Sequence, residues 1–412
     1  MYIFTFLYIL YWILRAVFPN IYLGSNIAIM NPHNIYPQIM MGLSSIWGFY
    51  YIFKNANIIS QYKNLQFLFR LIFLYVIWGL YYYCENLNFT DLTDIIKTIS
   101  PFTLFFVFYI GLHKNKKKAY ICSVAIIVAM VVNHSYLFTV DNAYAQTFPG
   151  EHDIDSIHGS FFASMTAIPL LFNKKQVSLY LYLFFMVFAF YCGSRSGILA
   201  SFFSLPIAYM QFKPFLHNKK VIVIFIIGVI ICTPKIISAY ENLQSRMEKE
   251  HESGSIGSGR SDFYPVVWED YTNGTLTQII FGRSVDHMTR NLERKMGISI
   301  SAHNGWLNTI YIYGIIGIIV FLSIFYSLIV KRKYVKKYAT QYYWLFLYTI
   351  FYWIITNSVT HGTLPVPFSM TWAFIFFTAN LNQKQLYYGA EARNINSGTH
   401  KPRTNPFITF RP

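Results

Sequence analysis

The sequence predicts an all-α membrane protein, a polytopic helical bundle of about twelve spans with one large external loop between the ninth and tenth. Three observations carry that expectation. The chain is 55% hydrophobic and only 12% charged. Its apolar residues gather in separate runs near the ~18–20 residues that cross about 30 Å of hydrocarbon. Its basic residues alternate from loop to loop.

In chain order the spans fall at roughly 2–18, 38–53, 66–83, 98–112, 119–138, 158–172, 177–193, 195–212, 220–237, 303–330, 341–357 and 366–381. Met1–Phe18 lacks the basic start and small-residue cleavage site of a signal peptide, so it reads as the first span. The loops 54–65, 113–118, 173–176, 213–219 (with Lys220) and 331–340, with the tail after 382, hold about two thirds of the 33 Lys and Arg residues and one acid, Glu391. The opposite side holds every other acid. Short loops rich in Lys and Arg stay cytoplasmic. Both termini are therefore expected inside and the loop 238–302 outside. The net charge of +16 is thus a matter of membrane topology, and no nucleic-acid partner is expected. Cys84, Cys122, Cys192 and Cys232 lie in or beside apolar runs and imply neither disulfides nor a zinc site. One transmembrane unit, 1–381, is followed by a basic cytoplasmic tail, 382–412, expected to be disordered.

The external loop is organised. Ser261 is placed to cap a short helix with Asp262 in its first turn, ended by Asn273-Gly274. Phe263, Val266, Val267 and Tyr271 give that helix an apolar face, suited to lying in the membrane interface. A second apolar run, Leu276–Phe281, stops at Gly282-Arg283.

Three external positions have the chemistry of a site. Arg195 stands at the apex of a tight hairpin, Gly193-Ser194-Arg195-Ser196-Gly197. It can snorkel to headgroups or hold a phosphate in its bidentate fork. Arg260 opens the loop helix, either simply solvated or at a helix N-terminus that favours an anion. His303 begins the tenth span, as an interfacial residue or as a base for a hydroxyl nucleophile. Asn304 can orient the imidazole or a substrate, Arg283 and Arg290 can extend an anion patch, and His361 lines the same side. Gly314 and Gly317 read as close-packing positions between helices. His152, Asp153, Asp155 and His158 have the composition of a metal site without its spacing, and read as a solvated acidic loop. No metal or cofactor is expected: nucleotide-binding glycine loops, HExxH and GxSxG are all missing. No span carries an acid at its middle, which argues against a transporter.

Taken together, Gly193-Ser194-Arg195-Ser196-Gly197, then Gly257-Ser258-Gly259-Arg260 with Trp268, then Ala302-His303-Asn304-Gly305-Trp306-Leu307 with Gly314-Ile315-Ile316-Gly317, resemble the O-antigen ligase and Wzy-type polysaccharide polymerase superfamily. The motifs span about 180–330, less than half the chain. The resemblance implies a metal-independent glycosyltransferase of the GT-C type in the inner (plasma) membrane. Its donor would be a glycan on undecaprenyl pyrophosphate. Arg195 and Arg260 would bind the pyrophosphate and His303 would activate the acceptor hydroxyl, with Asn304, Arg283 and Trp268 contacting substrate. The acceptor would be a lipid-linked repeat unit for a polymerase or lipid A core for a ligase. The His-Asn motif with its close Gly-Ile-Ile-Gly is nearer to the polymerases, for which a chain-length regulator is an expected partner. One departure is Gly282-Arg283-Ser284, where family members often have Gly-x-Gly.

The sided charge pattern predicts that a cysteine introduced at Asn273 is labelled from outside intact cells and one at Lys333 is spared. The reverse labelling would invert the topology.

Overall fold

The computed structural model describes residues 1–18, 21–23, 27–29, 35–86, 89–147, 156–172, 176–192, 195–215, 260–283, 285–297, 304–359 and 364–396, with isolated positions between 219 and 244. These are helical almost throughout. In order they form α1 (Tyr2–Val17), α2 (Ile35–Lys54), α3 (Ala56–Ser60), α4 (Lys63–Asn86), α5 (Phe89–Lys114), α6 (Lys116–Thr147), α7 (Ser156–Met165), α8 (Ala167–Leu171), α9 (Gln176–Tyr191) and α10 (Arg195–Phe212). After the expected external loop begins come α11 (Arg260–Thr272), α12 (Leu276–Phe281), α13 (Val285–Met296), α14 (Gly305–Tyr338), α15 (Tyr343–Val359) and α16 (Val366–Asn396). An antiparallel ribbon, β1 (Ile21–Leu23) with β2 (Ile27–Ile29), is the only pair of strands among the described residues, and the sequence did not suggest it.

Among the described residues, three helical segments are long and apolar enough to cross a membrane: Ile96–Lys114, Lys116–Thr139 and Gly305–Tyr338. The chain is helical, and these segments are consistent with a membrane protein. Each apolar run expected to span, save 220–237, coincides with helix, and that run lies outside the described residues except for isolated positions.

Three elements differ from expectation. The run 158–172 is two helices, because Pro169 cannot donate to the Met165 carbonyl and its ring crowds it. Thr166 fills the joint, bonding the Ala163 carbonyl with its hydroxyl at 2.6 Å. The last helix does not stop near 381 but continues to Asn396, so the tail is helical for its first part. Polar docking holds that extension: Asn382 Nδ2 donates to the Tyr338 carbonyl at 2.7 Å, and Tyr334 Oη bonds Gln383 Oε1 at 2.9 Å.

The third difference matters most. The expected span 303–330 is not one straight helix. Trp306 packs its ring 5.2 Å from that of Phe325 and 5.8 Å from that of Phe321. In one continuous helix, positions 306 and 325 would lie about 28 Å apart along the axis. The chain therefore doubles back at Gly314, the non-helical residue inside α14, with φ 64° and ψ −168°. A short arm, 305–313, folds against a long limb, 315–338. Gly317 lets the arm close, because a Cβ there would meet the Tyr313 Cβ at 2.1 Å.

A fold of this kind leaves carbonyls without their i+4 donors, and an apolar surround offers no water to replace them. Two are supplied from elsewhere in the chain. The Arg283 N–H donates to the Tyr311 carbonyl at 2.7 Å, and Trp78 Nε1 on α4 donates to the Tyr313 carbonyl at 3.1 Å. Trp78 is held by stacking on Phe281, with centroids 5.1 Å apart. The Trp306 Nε1–H reaches Ser358 Oγ on α15 at 3.1 Å, tying the foot of the arm to the bundle. Beneath it, Trp353 stacks on Phe325 at 3.9 Å and packs against Phe102 and Trp372, so an aromatic core joins α5, α14, α15 and α16.

The vertex tolerates no side chain. A Cβ on Gly314 would lie 2.2 Å from the Ile280 oxygen, and one on Gly282 (φ 93°) 2.1 Å from the Ile312 oxygen. Both glycines occupy a backbone region essentially closed to L side chains. Gly314→Ala is expected to destabilise the protein by roughly 3 kcal/mol or more, adding strain to overpacking. Thermal unfolding in detergent would read this, and an unchanged midpoint would mean the fold-back is not required.

Candidate functional site

The vertex brings the three helices before the arm onto it. α11, α12 and α13 form a small cap. The expected apolar face of α11 is real: Phe263, Val267 and Tyr271 are buried, and Val266 is half-buried. However, α11 packs on α13 and α14, and the face is covered by protein rather than lipid. Met288 and Leu292, one turn apart on α13, are buried in the same core. The start of α11 lies at Arg260, so Ser261 sits inside the first turn rather than capping it. α12 is closed by a capping box between Thr275 and Gln278. The Tyr271 hydroxyl donates to the Ile279 carbonyl at 2.7 Å, and burial raises that phenol above its ordinary pKa, which keeps the donating proton in place. Trp268 is about half exposed beside Tyr271, and the surface pair Lys295–Glu269 at 3.2 Å adds little.

Where cap meets arm lies a polar cluster. Arg283 Nη1 pairs with Asp270 Oδ1 at 2.9 Å, and its Nη2 donates to Gln278 Oε1 at 3.0 Å. The Tyr311 hydroxyl donates to Asp270 Oδ2. With that proton committed to Asp270, the His287 imidazole gives its Nδ1–H to the Tyr311 oxygen, 2.8 Å away. His287 Nδ1 also lies 3.5 Å from Asp270 Oδ2. Arg283 is buried, with its Nε unpartnered, whereas His287 is nearly half exposed. The guanidinium expected to extend an anion patch is thus spent on an internal carboxylate, and the pair contributes no net charge to a ligand.

Of the residues singled out from the sequence, Arg195 is the first residue of α10 and follows α9 after a short connection, as the tight-hairpin reading requires. Arg260 is the first residue of α11. Their side chains, and His303 and His361 entirely, lie outside the described part of the structure. Asn304 is the N-cap of the arm: its Oδ1 accepts from the Trp306 and Leu307 N–H groups, both at 3.0 Å. That oxygen is committed to the helix rather than to the neighbouring imidazole. His152, Asp153 and Asp155 also fall outside the described residues. His158 is buried against His134, with Nδ1 atoms 3.1 Å apart, instead of facing a solvated loop. Among the described residues, no group of three His, Cys, Asp or Glu could hold a metal.

Asp270, His287 and Tyr311 were not anticipated. One signal was present: Asn304, Asn308 and Tyr311 recur at i, i+4 and i+7, a polar stripe on an otherwise apolar run. Nothing in the sequence joins that stripe to Asp270, because the contact crosses between separate helices. The chain matches no protein-family model and no curated protein.

A double-mutant cycle tests the cluster. Arg283→Ala and Asp270→Ala are each expected to destabilise, and the double variant to lose less than their sum by about 1–3 kcal/mol. Additive losses would remove the ion pair as a determinant of the cap.

Proposed function

We propose that this chain is a membrane glycosyltransferase that polymerises repeat units carried on undecaprenyl pyrophosphate into a surface polysaccharide. Twelve spans would cross the inner membrane, with both termini cytoplasmic and residues 238–302 outside. The observation that carries this reading is the ordered set Arg195, Arg260 and His303-Asn304 on the one face that the charge pattern assigns to the exterior. Supporting it, α10 begins at Arg195, α11 begins at Arg260, and the arm begins directly after Asn304. A helix N-terminus adds positive potential to a cationic side chain, and a pyrophosphate answers both.

On this reading the acceptor sugar's hydroxyl oxygen attacks the anomeric carbon of the donor. The bond from that carbon to the phosphate oxygen breaks, and its electrons leave with undecaprenyl pyrophosphate. His303 takes the hydroxyl proton. Arg195 and Arg260 stabilise the negative charge that grows on the leaving diphosphate. Aromatic residues, 20% of the chain, suit stacking on sugar faces. The acceptor would be a lipid-linked repeat unit, and a chain-length regulator would be the partner that sets polymer size.

A deletion strain tests the reading through its surface glycan. Core carrying single repeat units is the expected result. Bare core with accumulated lipid-linked polymer would instead assign transfer to lipid A core, the ligase reaction, and an unchanged glycan would remove both. In the purified protein, His303→Gln is expected to lose roughly 10²–10⁴-fold in turnover, because an amide cannot take the proton. Arg195→Lys should recover little of what Arg195→Ala loses, since an ammonium lacks the bidentate fork.

A further inference from the structure

We propose that Tyr311 is a positioning residue for the transfer reaction, the clamp that sets the arm following His303 against the cap that begins at Arg260. This rests on the glycosyltransferase reading for its role and on geometry for its existence.

Tyr311 is fully buried and engages the cap through both of its polar groups. Its carbonyl accepts from the Arg283 N–H at 2.7 Å, and its hydroxyl bonds Asp270 and His287. Those bonds reach α11, the α12–α13 junction and α13 from one residue on the arm. The geometry makes each end rigid. Asp270 lies on the same helix as Arg260, about 15 Å along it, and cannot swing because Arg283 holds its other oxygen. Tyr311 lies on the arm whose first residues are fixed by Asn304 and by the Trp306–Ser358 bond. The clamp therefore fixes the distance between the segment carrying the anion-binding arginine and the segment carrying the base. Apolar packing at the same seam is non-directional and would let the arm slide or tilt. Hydrogen bonds at both the carbonyl and the hydroxyl of Tyr311 do not.

Removing the phenol oxygen alone separates this role from a structural one. Tyr311→Phe keeps the ring in its packing, and Asp270 keeps Arg283. The full-length protein in nanodiscs would carry nitroxides at Asn273→Cys on the cap and Ile310→Cys on the arm, with the native cysteines replaced. Tyr311→Phe should broaden the measured distance distribution. With a synthetic undecaprenyl-pyrophosphate repeat unit it should lower kcat on the order of 10²-fold, the scale of an ångström of misplacement, with KM for the donor unchanged. His287→Ala, at an exposed side chain, should move kcat the same way by about fivefold, one hydrogen bond's worth. Unchanged distances, or activity lost only in step with folded protein, would overturn the proposal. Broadened distances in a protein whose wild type transfers no sugar would leave the clamp standing and sink the glycosyltransferase reading instead.

Discussion

An apolar environment cannot supply a hydrogen-bond donor to an interrupted helix. Everything around residues 305–338 follows from that constraint. The fold-back at Gly314 frees backbone oxygens, and donors from α4 and from the cap come to meet them. This is why Trp78 must stand where it does, and why Gly282 must approach Gly314 so closely that neither can carry a Cβ. α11, α12 and α13 are thus not an appendage on the bundle. They complete the hydrogen bonding of a helix that would otherwise be unsatisfied.

Directionality explains the polar cluster. Apolar packing is non-directional, and hydrogen bonds fix which groups meet. The aromatic core under Trp306 supplies packing, with rings from α5, α14, α15 and α16 in contact. Such a core fixes proximity better than orientation. Burying an Asp–Arg pair yields little net stability, but a carboxylate fixed by a guanidinium gives Tyr311 one place to bond.

Much of the helical content was legible, because apolar runs and the breaks between them survive in composition. The face of α11 and the ends of α12 were legible for the same reason: Phe263, Val267 and Tyr271 keep helical spacing, and Gly282 ends the next run. The fold-back was not. Gly314 and Gly317 have the spacing of helix-packing glycines, and the run through them stays apolar, so hydropathy draws one span. The need for positive φ at Gly314 appears only once Gly282, far earlier in the chain, is placed against it. α13 was hidden by its charges: Asp286, Arg290, Glu293, Arg294 and Lys295 outnumber the buried Met288 and Leu292. The Arg283–Asp270 pair obeys no spacing rule because its members belong to different elements.

The arm, folded back along the limb, adds nothing to the reach of α14. Its consequence is temporal instead. Trp78, Asp270, Arg283 and His287 all precede Tyr311 in the chain, so a ribosome has already delivered them when the arm emerges. The limb, with Phe321 and Phe325 beside Trp306, and Ser358 come later. The arm can dock against a prepared receptor during synthesis, and the limb and α15 then close over its foot.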